Sequence, residues 1–268
     1  KSHPPAVGLV GDVAAGLEGL ATRLGPASDE AVARERRETA RTADLRRAAR
    51  ARLAAAASGP GVTPAALCRA IAGAVGPRDL VVDEALTAGR GLRAALGRRV
   101  PGTWLAHRGS ALGWGLPAAV GAKLADPSRR VMCVHGDGSL LFGVPALWTA
   151  AHEGLGLALV VADNQGYEIL RAGLEGSTGR PEGAWPGLAL TDPALDHGAI
   201  ARGFGASAER VECAAELPAA LRDLWRRAAE GPAVLAVSVR GRTPPVGYPL
   251  PGAPRPDADV AGAPRGHG

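Results

Sequence analysis

Asp137 and Asn164 are the residues whose type and spacing carry the clearest chemistry. Asp137 stands in Gly136-Asp137-Gly138-Ser139, directly after the apolar run 130–135 (RVMCVH). Asn164 follows 27 residues later, in Asp163-Asn164-Gln165-Gly166-Tyr167, after a second apolar run, 157–162 (LALVVA). One carboxylate, one amide oxygen and a backbone carbonyl form a hard, oxygen-only donor set. Phosphate oxygens and water would complete six-coordination around Mg²⁺. The two glycines let the backbone pass close to a ligand, and Ser139 with neighbouring N–H groups can donate to phosphate oxygens. Gly-Asp-Gly alone is a weak signal, because a tight turn with Asp at its tip uses the same residues. Its pairing with Asn164 across a single strand–helix–strand unit is far more specific.

For the two loops to meet, their strands must be parallel and adjacent. Strands are predicted at 79–83, 103–106, 130–135, 157–162 and 233–239. Helices are predicted from Thr63-Pro64 and at 87–96, 116–124, 144–153, 192–203 and 216–229, with a Gly- and Pro-rich loop at 173–187. Near-continuous apolar strands alternating with helices imply an α/β fold: a doubly wound, mostly parallel sheet with helices on both faces. Right-handed crossovers bring the carboxyl ends of the strands to one edge, where such sheets bind ligands. The loops after Asp83, His135 and Ala162 are therefore the candidate site. Upstream, residues 4–25 read as a short strand, a turn and an amphipathic helix. Residues 28–57 read as a charged, solvated helix capped by Ser28 with an acidic first turn. From Thr243 the chain is rich in Pro and Gly and reads as an extended tail.

Composition narrows the class. The chain has 268 residues, 46% hydrophobic and 21% charged, enough for a substantial core and incompatible with wholesale disorder. Aromatics are only 3%, against a surface that stacks nucleic-acid bases. Cys68, Cys133 and Cys213 lie far apart, in no zinc or disulfide pattern, so a reducing, cytoplasmic setting is expected. No apolar run reaches the roughly 18 residues of a membrane span, and no signal peptide is visible, so no membrane partner is expected. The net charge is +5, and all basic residues except Lys1 and Lys123 are arginine. Eight arginines fall between Asp29 and Leu53, interleaved with five acids. A solvated helix explains them better than a nucleic-acid contact through Arg34–Arg52, which would predict steeply salt-dependent retention. The chain starts at Lys1 in mid-pattern and reads as a piece of a longer protein.

The Gly136–Ser139 motif with Asn164 at this spacing resembles the signature of thiamine-diphosphate-dependent enzymes. The segment 107–119 (HRGSALGWGLPAA), the segment 146–151 (ALWTAA) and the stretch 192–205 resemble the benzoylformate decarboxylase and acetolactate synthase group. The resemblance implies four parts. Residues 1–25 would be the tail of a middle domain, 26–62 a charged helical linker, 63–242 the C-terminal pyrophosphate-binding domain with the thiamine-diphosphate-binding fold, and 243–268 a tail. It implies thiamine diphosphate and Mg²⁺ as cofactors, with Asp137, Asn164 and the Gly166 carbonyl as metal ligands. Thr87 and Ser139 would contact the diphosphate, Gly136 and Gly138 would lie at the cofactor, and Tyr167 would touch the diphosphate or line the pocket. The Ser110 main chain would accept from the aminopyrimidine, and Leu112 would bend the cofactor into a V. Leu86, Ala106, Ile169 and Gly173 would face the substrate, with His107 a further candidate.

The implied activity is non-oxidative decarboxylation of a 2-keto acid, with acetolactate synthase-like carboligation as the alternative. The family's activating glutamate and acid/base histidines have no counterpart in this sequence, so no catalytic residue is assigned and the fragment alone is expected to be inactive. A non-catalytic cofactor-binding or dimerisation module therefore stays open. A homodimer or homotetramer is expected through parts of the protein outside this sequence. Three features depart from the family pattern: Asp163 replaces the first Asn of an Asn-Asn pair, Gly166 replaces a residue with a side chain, and the substrate-facing positions lack the aromatic lining of benzoylformate decarboxylase. His135 reads as structural and His152 as a helix C-terminal residue. Glu84 reads as either cleft-lining or a solvent-exposed strand end, and Trp104, Trp114 and Trp148 as core or subunit contacts.

Overall fold

The computed structural model describes residues 8–97, 100–106, 111–178 and 185–240. The chain divides into two compact units, 1–47 and 48–268, with the division falling inside one helix. In the first unit, helix α1 (Val13–Leu24) is capped by Asp12, whose carboxylate accepts from the Ala15 amide at 2.8 Å. Its apolar residues Val13, Leu17, Leu20 and Leu24 are all exposed. The short strand expected before it is absent from the described residues 8–12. Helix α2 (Asp29–Ala55) begins where the Ser28 hydroxyl accepts from the Ala31 amide.

The second unit is the α/β body. Thr63 caps helix α3 (Pro64–Ala74), accepting from the Ala66 amide at 3.1 Å, and Pro64 supplies a preset φ where no N–H is needed. Then follow β1 (Leu80–Glu84), a 3₁₀ turn (Ala88–Gly91) running into α4 (Leu92–Leu96), β2 (Trp104–Ala106) and α5 (Gly115–Ala125). Next come β3 (Val131–Gly136), α6 (Asp137–Leu140), α7 (Ala146–His152), β4 (Ala158–Asp163) and α8 (Glu168–Thr178). The chain continues with α9 (His197–Gly203), β5 (Ser207–Val211), α10 (Leu217–Arg227) and β6 (Ala233–Ser238).

The six strands form one parallel sheet in the order β2-β1-β3-β4-β6-β5. Alternate residues of the central strands feed two cores. Val81, Met132, Val134, Val160 and Leu235 pack with α3 and α10 on one face. Val82, Cys133, Leu159, Val161 and Val234 pack with α5 and α7 on the other. Both faces are dry because both carry apolar side chains, which is why the strands read as unbroken apolar runs.

Three elements depart from the sequence reading. The loop expected at 173–187 begins as helix, because α8 extends to Thr178 through Gly173. The helix expected at 192–203 starts only at His197, where the Asp196 carboxylate caps it. Strand β5 went unpredicted. It is an edge strand whose charged, mostly exposed residues Glu209 and Arg210 hide its pattern.

Candidate functional site

The order of strands reverses direction between β1 and β3, the kind of switch point at which doubly wound sheets open a crevice. The loops leaving β1, β3 and β4 bound a cleft of about 410 Å³ there. Leu86, Thr87, Leu112, Asp137, Ser139, Asn164, Tyr167 and Ile169 line it, together with Gly136, Gly138 and Gly166. Ser110 and His107 lie outside the described residues. A larger cleft of about 800 Å³ sits at the opposite, amino edge; its charged residues Arg226, Arg227 and Glu230 are engaged in ion pairs.

The β3 and β4 loops converge on one amide. The Gly166 N–H donates to Asp137 Oδ2 at 3.1 Å and to Asn164 Oδ1 at 3.2 Å. The two side-chain oxygens therefore lie within two hydrogen-bond lengths of each other. Asp137 Oδ1 accepts from the Gly138 amide at 2.8 Å. The Gly166 carbonyl accepts from the Glu168 amide at 3.0 Å and keeps a second lone pair. Asp163 is committed elsewhere: Oδ2 pairs with Arg210 at 2.9 Å and Oδ1 accepts from the Gln165 amide.

Asp137 is 3% exposed, and among the described residues no lysine or arginine pairs with it. Burial pushes its pKa up to about 6. The amides of Gly138 and Gly166 pull against that rise, and the charge of Asp163 adds to it. A buried carboxylate beside an amide oxygen and a carbonyl, with no cation of its own, is what a hard divalent ion would complement. Thus the donor set fits Mg²⁺. Among the described residues no group of three His, Cys, Asp or Glu side chains could hold a metal, so a site of that other kind is absent there.

Several glycines are required by close approaches. A Cβ on Gly138 would lie 2.6 Å from the Tyr167 ring, which covers this turn. A Cβ on Gly166 would lie 2.6 Å from the Leu188 carbonyl and from the Arg171 guanidinium. Gln165, between Asn164 and Gly166, takes the left-handed backbone at φ 59° and so turns the loop back on itself.

A second cluster stands beside the cleft. In register, Glu84 of β1 pairs with His135 of β3, and both are buried. Ser139 Oγ is 2.8 Å from His135 Nδ1, and His135 Nε2 is 3.0 Å from Glu84 Oε2. Burial opposes ionisation of Glu84, yet the His135 ring and the amides of Gly113 and Gly115 outweigh it and hold its pKa below the usual carboxylate range. Glu84 is therefore no solvent-exposed strand end. His135, read from sequence as structural, contacts the cleft residue Ser139 directly. Trp148 is exposed and stacks on His152, while Trp104 lies half-buried under Arg93. Glu168, on the first turn of α8, also lines the cleft; sequence reasoning missed it because no element was assigned to 168–172 and the loop was expected from Gly173.

Comparison with known proteins follows the same outline. The family described as "Thiamine pyrophosphate enzyme, C-terminal TPP binding domain" matches residues 87–237. A Mycobacterium tuberculosis protein named as an acetolactate synthase large subunit, IlvX, is 38% identical over 174 residues, covering 63% of this chain and 33% of that protein. Benzoylformate decarboxylase of Pseudomonas aeruginosa is 37% identical over 165 residues, covering 61% of this chain and 30% of that protein. Among solved structures, the thiamine diphosphate-dependent 4-hydroxybenzoylformate decarboxylase of Rhodococcus jostii RHA1 superposes with a TM-score of 0.62 at 29% identity, over 68% of this chain and 33% of that one. The aligned part of this chain thus spans about a third of the length of each of these relatives.

Proposed function

Since the chain belongs to the thiamine pyrophosphate enzymes, as their C-terminal TPP-binding domain, we propose that it holds thiamine diphosphate through Mg²⁺ within a 2-keto acid decarboxylase. Asp137, Asn164 and the Gly166 carbonyl take the metal. Ser139, Thr87 and the Gly136 and Gly138 backbone take the diphosphate, and Tyr167 closes over it. Leu112 supports the bend of the cofactor, and Leu86 and Ile169 face the substrate. Ser110 and His107 complete the reading as the aminopyrimidine acceptor and a substrate contact. The observation that carries this proposal is the convergence of Asp137 Oδ2 and Asn164 Oδ1 on the Gly166 amide.

When bound, the cofactor supplies the electron storage that lets the bond next to a keto carbonyl break. The chain's own contribution is charge and position. Asp137 supplies the negative charge that the metal neutralises. Tyr167 and Leu190 pack over Gly138, restricting water at the diphosphate end. The apolar Leu86, Leu112 and Ile169 give the reacting end a low-polarity wall, in which charge separation responds strongly to placed groups.

In domain terms, residues 63–242 form the cofactor-binding body, 26–62 a linker, 1–25 the tail of a preceding domain and 243–268 a trailing segment. The partner is a small 2-keto acid, and the working enzyme is a cytoplasmic homodimer or homotetramer. Carboligation of the acetolactate synthase type is the second reading, favoured by the similarity to IlvX. The test is calorimetric titration of the 268-residue chain with thiamine diphosphate, with and without Mg²⁺. Binding that requires Mg²⁺ is expected; metal-independent binding or none overturns the reading. Product analysis of the full-length protein, with pyruvate and with an aryl keto acid, separates decarboxylation from carboligation.

A further inference from the structure

The turn that carries Leu112 into the cleft has no regular secondary structure of its own, and two features outside it fix its place. On one side, Gly113, at φ 86°, lies flat against the loop after α6: a Cβ there would meet Phe142 Cβ at 2.6 Å and the Gly143 nitrogen at 2.9 Å. On the other side stands the buried Glu84 carboxylate. Oε1 accepts from the Gly113 amide at 2.5 Å, and Oε2 accepts from the Gly115 amide at 2.5 Å. The fit on that side is also tight, since a Cβ on Gly115 would lie 2.8 Å from Glu84 Oε2. One carboxylate thus grips alternate amides that lie 29 and 31 residues along the chain, on either side of Trp114. Leu112, the residue just before the gripped pair, is left 39% exposed and lines the cleft.

We propose that Glu84 is the positioning residue that sets Leu112 at the height a bent cofactor needs; the inference rests on the cofactor reading above. Glu84 does not line the cofactor cleft and acts through the turn. His135 Nε2 lies 3.0 Å from Oε2 on the β3 side, close but not aligned for a hydrogen bond, so the two glycine amides are what orient the carboxylate. Only a group with two acceptor oxygens and no donor satisfies both glycine amides at once. Glutamine, equal in size, loses one of the two bonds and points an amide N–H at a backbone N–H.

The test is a double-mutant cycle on thiamine diphosphate affinity in the presence of MgCl₂, measured by calorimetry on the 268-residue chain, with Glu84→Gln, Leu112→Ala and both together. Each single substitution is expected to weaken binding about tenfold, Glu84→Gln through one lost backbone hydrogen bond and Leu112→Ala through lost apolar contact with the cofactor. In the Leu112→Ala background, Glu84→Gln is expected to add no further loss, because its effect passes through Leu112. Losses that multiply would show that Glu84 acts by another route and would overturn the inference. Amide exchange of the wild-type chain gives an independent readout should Glu84→Gln fail to fold: the Gly113 and Gly115 N–H groups are expected to be protected, and exchange at the rate of an open loop overturns the inference. Failure of the wild-type chain to bind the cofactor sinks the functional reading instead, so the two failures are told apart.

Discussion

Asp137→Asn is expected to make the metal-free chain more stable while removing its cofactor binding. The carboxylate is 3% exposed and its pKa is pushed from 3.8 to about 6, chiefly by burial. At neutral pH the folded protein therefore holds a charge it would prefer to neutralise, at a cost of roughly 3 kcal/mol by the usual conversion. Asparagine removes that charge at nearly constant volume. It also gives up one of the two amide hydrogen bonds, from Gly138 or Gly166, at a cost of about 1–2 kcal/mol. The net expectation is a gain of about 1–2 kcal/mol, or roughly 2–8 °C in melting midpoint for a unit of this size. The assay is thermal unfolding at pH 7.5 in excess chelator, followed by calorimetric titration with thiamine diphosphate and Mg²⁺. A lower midpoint for the variant in chelator would refute the argument that this carboxylate stands uncompensated. Retained Mg²⁺-dependent binding would refute its role as a ligand. The opposite signs matter, because ordinary structural damage would lower both quantities together.

Gly138→Ala places a Cβ 2.6 Å from the Tyr167 ring; a loss of about 1–3 kcal/mol in urea unfolding is expected, with weakened cofactor binding. Burial, reinforced by the charge of Glu84 and opposed by the Ala85 amide, pushes Asp83 up to about 7. Its folded pKa lies above its unfolded one, so it favours the folded state below about pH 4 and loses that contribution as pH rises towards 7. Asp83→Asn should therefore stabilise the chain by about 2–4 kcal/mol at pH 8 and much less at pH 4; equal effects at both would contradict the assignment. Among the described residues neither ring nitrogen of the buried His197 has a hydrogen-bond partner, and burial, helped by Arg210 and opposed by Asp163 and Asp196, depresses its pKa. Its folded pKa is then below the unfolded 6.5, so stability present above pH 6.5 falls as pH drops towards the folded value. His197→Phe should remove that part of the pH dependence, read from urea midpoints between pH 7.5 and 5; an unchanged slope would contradict it.

The elements bearing the cleft were legible because their signals are local. The runs 130–135 and 157–162 are apolar on both faces, as a strand covered twice must be. Thr63-Pro64 announces a helix start through capping chemistry that needs only three neighbouring residues. Where the signal is not local, it failed. Among the described residues strand β5 pairs with β6 alone and buries little beyond Val211, so nothing in its alternation marks it. Helix α8 passes through Gly173, a residue that ordinarily argues for a loop.

The sequence by itself determined that a parallel sheet would form and that Asp137 and Asn164 would leave it at the same edge. Strand apolarity and right-handed crossover leave no other arrangement within reach. Only the tertiary structure decided what Glu84 does. A glutamate at a strand end has the same spelling whether it faces water or is buried. The register that sets it beside His135, and the fold that returns Gly113 and Gly115 to its two oxygens, are products of packing between segments some 30 residues apart. Backbone amides carry no sequence signature, so a site whose partners are amides becomes visible only once the chain has closed around it.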